Sequence, residues 1–133
     1  YIKKYNINNV YLLGNKRDVF KYLKESDVFL STSLYEGHPI SILEAMSIGM
    51  PIVASNVIGN IDTIKNNHSG FFYKIGDIKE ASKCITDVIN NENLKLKFSI
   101  NAYERQREFF STQKMKNSYI SLYKKFFLDK YVQ

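Results

Sequence analysis

The chain has 133 residues, a formal net charge of +6 and a hydrophobic fraction of 44%. This length and composition are typical of one soluble globular domain. No window approaches the ~18 consecutive apolar residues of a membrane span, and the first residues lack the basic-then-apolar pattern of a signal peptide.

The single cysteine, Cys84, excludes an internal disulfide. Its helical spacing to apolar neighbours predicts a buried, inert thiol. One cysteine without a secretion signal favours a reducing compartment. We therefore expect a cytoplasmic protein, with the inner face of the membrane as the second location to consider.

The positive charge is spread along the chain, because lysines and arginines form no cluster. The sequence has neither an RNA-recognition signature nor zinc-finger spacing, so no nucleic-acid partner is predicted. Two interpretations of the charge remain open. One is a basic, solubilising surface, and the other is peripheral contact with an anionic membrane.

In the first half of the chain, short apolar runs alternate with helical patterns. Residues 10–14 (VYLLG) predict a strand that a glycine closes, and Asp18 is placed to cap a short helix. Residues 28–30 predict a second strand. Pro39 is predicted at the first position of the next helix, where its missing N–H has no partner to lose. Gly49 is predicted to end that helix.

The second half continues the alternation. Residues 52–54 predict a third strand, and Asn60 is placed to cap another short helix. Residues 71–73 predict a fourth strand. Asp77, followed three residues later by Glu80, predicts a capping box at the start of a longer helix.

Two further helices are predicted at residues 93–108 and 112–129. The last helix has aromatic side chains on one face and lysines elsewhere. Packing against the body of an enzyme is the expected use of such a face, and an interfacial membrane helix is the alternative. The whole pattern predicts an α/β fold, a Rossmann-like parallel sheet with flanking helices on both faces.

One loop of this predicted fold is placed to bind an anion. Ligands of open parallel sheets bind beyond the carboxyl ends of the strands, and residues 34–39 lie at such an end. The helix that follows turns its N-terminus toward this loop. Unpaired N–H groups and the positive end of the helix dipole make that N-terminus suitable for a diphosphate.

Two carboxylates flank the predicted anion site. Glu36 lies in the loop, just before Gly37, and Glu44 lies on the following helix, where side chains lean back toward the N-terminus. A carboxylate there is suited to a sugar diol, from which it accepts charge-assisted hydrogen bonds. The arrangement predicts a nucleoside diphosphate sugar as ligand. Each glutamate taken alone is equally typical of an ordinary exposed side chain.

Residues 36–55 read EGHPISILEAMSIGMPIVAS. They closely resemble the signature of the retaining glycosyltransferases of family 4, also called group 1. That signature has two glutamates separated by seven residues, then Ala-Met, then a strand introduced by Gly-x-Pro. Flanking segments match in the same order, so that the resemblance covers roughly residues 10–90. It implies the C-terminal, donor-binding domain of a GT-B enzyme, in which two Rossmann-like domains face a cleft.

The resemblance implies a role for each matching position. Glu36 would be the catalytic residue that contacts the hydroxyls of the donor sugar, and Glu44 would bind the ribose. The remaining donor-binding residues would be Gly37, His38 and Pro39 around the sugar and diphosphate, the N–H groups of Ser41, Ile42 and Leu43 at the diphosphate, and Asn15 and Lys16 near the base. His38 departs from the family, where an apolar or aromatic residue is common.

The resemblance also marks what this sequence lacks. Residues 1–133 would form a partial donor domain, without the acceptor-binding N-terminal domain and without the Arg and Lys that neutralise the diphosphate. Tyr1 in place of a methionine suggests an excised piece. With the strand order 3-2-1-4-5-6, the missing strands would separate residues 10–14 from the sheet. We expect this piece to be inactive and poorly stable alone.

The predicted function is transfer of a hexose from a nucleoside diphosphate sugar to a glycan or lipid-linked acceptor, with retention, in surface polysaccharide biosynthesis. The acceptor would bind through the missing domain. No cofactor and no metal are expected, since the helix N-terminus and the basic pair of the family supply charge compensation. The alternatives are a nucleotide-sugar epimerase of the same fold and a non-catalytic binding domain.

Overall fold

The computed structural model describes the backbone of residues 1–131 and the side chains of residues 1–127. The strands are β1 (Phe29–Ser31), β2 (Ile52–Ser55) and β3 (Gly70–Tyr73). The helices are α1 (Phe20–Lys24), α2 (Ile40–Ser47), α3 (Ile58–Thr63), α4 (Ile78–Ile89), α5 (Glu92–Arg105) and α6 (Thr112–Tyr131). A π-helical segment (Gln106–Phe110) lies between α5 and α6.

The strands form one parallel sheet in the order β1-β2-β3. Val53 of β2 is paired with Leu30 of β1 on one side and with Phe71 of β3 on the other. Every residue of β2 is buried, as expected for a central strand covered on both faces. The predicted parallel α/β architecture is confirmed.

Apolar side chains fill the space on both sides of the sheet. One cluster packs α2 against the sheet, and its largest fully buried members are Ile42, Met46, Ile52 and Ile64. The other packs α4 and α5 against the opposite face through Val53, Tyr73, Val88 and Phe98. Cys84, predicted to be buried, is half-buried at the margin of this second cluster.

The prediction of a strand at residues 10–14 is wrong. The structure has no strand there, and the side chain of Leu12 is 84% exposed. The hydrophobic pattern of a strand is present, but no neighbouring strand within the described residues pairs with it. This outcome agrees with the expectation that the run is separated from the sheet.

Helix α2 begins one residue later than predicted and ends as predicted. Pro39 is the N-cap residue, with ψ of 88°, and the first helical residue is Ile40. At the other end Gly49 has φ of +71°. Its N–H donates to the carbonyl of Met46, and the N–H of Met50 donates to the carbonyl of Ala45. These two bonds are the Schellman motif that a glycine after a helix favours.

Two of the predicted helix caps are wrong. Val19, not Asp18, is the N-cap residue of α1, and no side chain caps it. Asn60 lies inside α3 and is buried; its Nδ2 donates to the carbonyl of Ser55 at 2.9 Å. A buried amide needs a partner, and the end of β2 provides one.

The cap of α4 is confirmed in its main feature. The side chain of Asp77 accepts a hydrogen bond from the N–H of Glu80 at 2.9 Å. The reciprocal bond of a capping box is absent, because the Glu80 carboxylate accepts from the N–H of Lys74 at 2.7 Å. Glu80 therefore joins α4 to the residue that directly follows β3.

The C-terminal helices were predicted with nearly the right bounds. Arg105, the last residue of α5, donates to the carbonyls of Asp62 and Thr63 at the end of α3. Every described side chain of α6, up to Phe127, is exposed. The expected packing of α6 against the body of the enzyme stays a prediction, because the described side chains of α6 are exposed on this domain. Among the described helices, none has the length and apolarity that a bilayer span requires.

Candidate functional site

The loop of residues 32–39 lies at the carboxyl edge of the sheet, between the end of β1 and the start of α2. The end of β2 and the start of α3 hold it in place at two points. Ser55 Oγ donates to the carbonyl of Ser33 at 2.6 Å, and the N–H of Gly59 donates to the carbonyl of Glu36 at 3.2 Å. The loop is thus bound to the sheet edge where a ligand of this fold class is expected.

The carboxylate of Glu36 is partly buried and held by its own loop. Its Oε1 accepts a hydrogen bond of 2.7 Å from Ser33 Oγ. Its Oε2 has no hydrogen bond to any residue within the described part of the chain. Glu36 therefore presents one carboxylate oxygen that is free to accept a bond from a ligand hydroxyl.

The residues after Glu36 differ in exposure. Gly37 and His38 are exposed, and Pro39 is buried. The His38 ring lies 6.0 Å from the ring of Phe110, centroid to centroid, at a tilt of 49°. The π-helical segment therefore supports the imidazole from one side.

The N–H groups at the start of α2 are not equally available. The N–H groups of Ile42 and Leu43 both donate to the carbonyl of Pro39, each at 3.1 Å. The N–H of Ser41 has no acceptor among the described residues. Ser41 is also exposed, whereas Ile42 and Leu43 lie in the core, so Ser41 is the most available of the three predicted diphosphate contacts.

A cavity of about 260 Å³ opens beside the N-terminal half of α2. It brings three of the predicted site residues together, Lys16, Ser41 and Glu44. The rest of its lining consists of Leu13, Gly14, Val19, Tyr22, Leu23 and Phe29. Glu36, Gly37, His38 and Pro39 lie outside this lining, as does Asn15, which is exposed next to Lys16.

The residues that line this cavity include a lysine, a serine in the first turn of α2, a glutamate and a tyrosine. A lysine ammonium and a free helix N–H attract phosphate oxygens. A carboxylate accepts bonds from vicinal hydroxyls, and a tyrosine ring is suited to packing against a planar base. In the described residues, His, Cys, Asp and Glu side chains form no group of three that would hold a metal ion.

Sequence reasoning missed three residues of the site. Ser33 and Gly59 contact Glu36, and Tyr22 lines the cavity. Ser33 stands three residues before Glu36, so its spacing offered a weak local signal. Gly59 is 23 positions after Glu36 in the printed sequence, and no local pattern joins the two.

Solved structures with the same fold define the class of protein. The chain matches the sucrose-phosphate synthase of Thermosynechococcus elongatus with a TM-score of 0.88 at 22% identity, over 96% of this chain and 33% of that one. It matches a variant of Staphylococcus aureus TarM, in complex with fondaparinux, α-GlcNAc-glycerol and UDP, with a TM-score of 0.83 at 31% identity, over 91% and 25%. The fold is therefore that of the C-terminal domain of GT-B glycosyltransferases.

The sequence shows the family within this class. Residues 1–105 match the model of the glycosyl transferases group 1, and the chain belongs to this family. A relative is the UDP-Gal:alpha-D-GlcNAc-diphosphoundecaprenol alpha-1,3-galactosyltransferase of Escherichia coli, 40% identical over 85 residues. That alignment covers 64% of this chain, which spans only 22% of the relative's length.

Proposed function

We propose that this chain is the donor-binding part of a retaining glycosyltransferase of family 4. The enzyme would transfer a hexose from a nucleoside diphosphate sugar to a glycan or lipid-linked acceptor in surface polysaccharide biosynthesis. One observation carries the proposal. Lys16, Ser41 and Glu44 converge on one cavity at the N-terminus of α2, beside the loop that holds Glu36.

The relatives support the choice of ligand and acceptor. The TarM variant was solved with UDP and α-GlcNAc-glycerol, and it is 31% identical to this chain. The name of the Escherichia coli relative specifies a UDP-sugar donor and an acceptor linked to diphosphoundecaprenol. A lipid-linked acceptor would place the enzyme at the cytoplasmic face of a membrane.

Each site residue has a role that its chemistry fits. Glu44 would accept hydrogen bonds from the ribose hydroxyls, and the free N–H of Ser41 would donate to the diphosphate. Lys16 and Asn15 would lie near the base. Glu36 would bind the donor sugar through its free carboxylate oxygen.

The remaining predicted contacts would act through the backbone. Gly37 and His38 lie exposed between Glu36 and the helix, where a sugar or diphosphate would pass. Pro39, Ile42 and Leu43 are buried, so only their main-chain atoms would approach a ligand. Because the N–H groups of Ile42 and Leu43 already donate to Pro39, binding at those positions requires shared hydrogen bonds.

Catalysis by such a site rests on charge and position. As the bond between sugar and diphosphate breaks, negative charge builds up on the leaving oxygen. The N-terminus of α2 would stabilise that charge without having to reorganise. Glu36 would hold the sugar in the reacting orientation, while the acceptor would be supplied by the acceptor-binding domain of the enzyme.

A thermal-shift titration tests the donor site. The chain is titrated with UDP, GDP, ADP and CMP, beside Glu44→Ala and, as a matched control, Glu104→Ala on the exposed face of α5. One nucleoside diphosphate is expected to stabilise the parent chain and the control by about 2.7 kcal/mol at about a hundredfold excess over Kd. The Glu44→Ala variant is expected to lose this stabilisation.

A cooperatively unfolding chain that no nucleotide stabilises would refute the donor site. Equal stabilisation of Glu44→Ala and Glu104→Ala would refute the role of Glu44. Product analysis with the full enzyme separates transfer from epimerisation. A transferase releases the nucleoside diphosphate only as it glycosylates the acceptor, whereas an epimerase changes the sugar with no acceptor present.

A further inference from the structure

We propose that Ser33, Ser55 and Gly59 are positioning residues that fix Glu36 for recognition of the donor sugar, separately from the cavity that holds the nucleotide. The inference rests on the proposed function, because it assigns the donor site two parts. Glu36 contacts the sugar, and the cavity with Lys16, Ser41 and Glu44 binds the nucleotide.

The first observation concerns the carboxylate itself. Ser33 Oγ donates to Glu36 Oε1 at 2.7 Å, which restrains the carboxylate. Hydrogen bonds to a charged group are about twice as strong as neutral ones. With Oε1 held, Oε2 is kept in one direction, and this oxygen is the one left for a ligand hydroxyl.

The second observation concerns the backbone of Ser33. Its carbonyl accepts a hydrogen bond of 2.6 Å from Ser55 Oγ, at the end of the central strand. Ser55 is in turn fixed by the buried Asn60, whose Nδ2 donates to the Ser55 carbonyl at 2.9 Å. The residue that holds Glu36 is therefore anchored to β2 and α3 rather than free to move with the loop.

The third observation is the close approach of α3 to the backbone of Glu36. A Cβ atom at Gly59 would lie 2.5 Å from the carbonyl oxygen of Glu36 and 2.8 Å from the carbonyl oxygen of Gly37. Backbone atoms cannot yield as a side chain does, so the loop would have to shift. Gly59 does not have a positive φ, so its backbone angles accept alanine. Close contact with the Glu36 loop is what requires a glycine here.

These contacts act on Glu36 and not on the cavity. None of Ser33, Ser55 and Gly59 lines the cavity that contains Lys16 and Glu44. Moving the Glu36 loop is therefore expected to weaken contacts with the sugar and leave contacts with the nucleotide in place. A general loss of stability would weaken both together.

The ratio of two affinities separates these outcomes. Binding of UDP, UDP-glucose and UDP-N-acetylglucosamine to the chain is measured by calorimetry for the parent, Ser33→Ala, Ser33→Thr and Gly59→Ala. The comparison uses whichever UDP-sugar binds the parent chain more tightly. In Ser33→Ala and Gly59→Ala, the affinity for this UDP-sugar is expected to fall about tenfold more than the affinity for UDP. A tenfold loss corresponds to about one hydrogen bond to a charged group. Ser33→Thr keeps the hydroxyl and is expected to retain the parent ratio.

Gly70→Ala is the matched control. A Cβ at Gly70 would lie 2.5 Å from the carbonyl oxygen of Ile52, an equally close contact with backbone, but in the sheet and away from Glu36. It is expected to destabilise the fold and leave the ratio of the two affinities unchanged. Equal loss of UDP and UDP-sugar binding in Gly59→Ala and Gly70→Ala would overturn the inference while the donor site stands.

Hydrogen exchange without ligand gives an independent test. Amide exchange over residues 33–39 is expected to be at least severalfold faster in Gly59→Ala than in Gly70→Ala, since only the first displaces this loop. The same exchange in both variants would overturn the positioning role, whatever the nucleotide titrations show. A parent chain that binds neither UDP nor a UDP-sugar would instead refute the proposed function for uridine donors.

Discussion

The side-chain hydroxyl of Tyr73, on β3, donates a hydrogen bond of 2.9 Å to the backbone carbonyl of Ser31, on β1. Because β2 lies between these strands, Tyr73 reaches across the central strand and joins the two outer ones. The bond is buried at the carboxyl edge of the sheet, directly before the loop that contains Glu36. Burial also raises the pKa of the Tyr73 hydroxyl, which keeps the donor protonated.

Tyr73→Phe is expected to destabilise the domain by about 1–2 kcal/mol, because it leaves a buried carbonyl without its donor. Urea unfolding followed by circular dichroism measures the loss. Tyr11→Phe, at an exposed position before the first helix, is the control and is expected to have no effect. A neutral Tyr73→Phe would mean that the bond across the sheet contributes nothing to stability.

Phe98 is fully buried between α5 and the sheet, and its ring packs edge-on against that of Phe71 at 4.8 Å. Phe98→Ala is expected to cost about 3–5 kcal/mol, as other large core truncations do. Phe126→Ala removes the same side chain from α6, where it is 63% exposed, and is expected to stay within about 0.5 kcal/mol. Similar losses in the two variants would show that α6 packs against this domain after all.

Arg105 joins the end of α5 to the end of α3. Its Nε donates to the carbonyl of Thr63 at 2.7 Å, and its Nη2 donates to that of Asp62 at 2.9 Å. Arg105→Lys keeps the charge but loses the two-pronged geometry, so a loss of about 1–2 kcal/mol is expected. Arg107→Lys makes the same change at an exposed position and is the control. Equal losses of stability in Arg105→Lys and Arg107→Lys would count against the bridging role of Arg105.

Cys84 tests the pH dependence of a half-buried group. Burial, and then the nearby carboxylates of Glu80 and Asp87, raise the pKa of its thiol. A raised pKa lowers the thiolate fraction at pH 8, and the thiolate is the reactive form. Alkylation by iodoacetamide is expected to be slower than for free cysteine and to rise at a more alkaline pH. Unfolding in urea should remove the difference, and equal native and unfolded rates would contradict it.

Patterns within one element predicted this fold well. The buried run of β2, the glycine that ends α2 and the Asp77 cap of α4 each depend on residues a few positions apart. The conformational preferences of single residues and the spacing of apolar residues are sufficient to predict such features. The order of strands and helices followed from them. The parallel sheet was therefore predictable from sequence.

Features that depend on a distant partner were not predictable in the same way. Residues 10–14 have a strand pattern but lack a paired strand within the described residues, so pattern alone gave the wrong assignment. Asn60 has a side chain typical of a helix cap, yet it lies inside α3, where its Nδ2 donates to the carbonyl of Ser55 at the end of β2. The contact of Gly59 with Glu36 joins α3 to the loop after β1, and only the folded chain brings them together.

The open side of β1 has a consequence for every solution experiment on this chain. Within the described residues β1 pairs with β2 alone, and Leu30 in its middle is 43% exposed. An unpaired strand edge accepts a second strand from another molecule, so two copies are expected to adhere at this edge as the protein is concentrated. Ligand titrations repeated over a wide range of protein concentration would separate ligand binding from self-association. The midpoint of a titration stays fixed where the ligand alone determines it, and it changes with protein concentration where the chains self-associate.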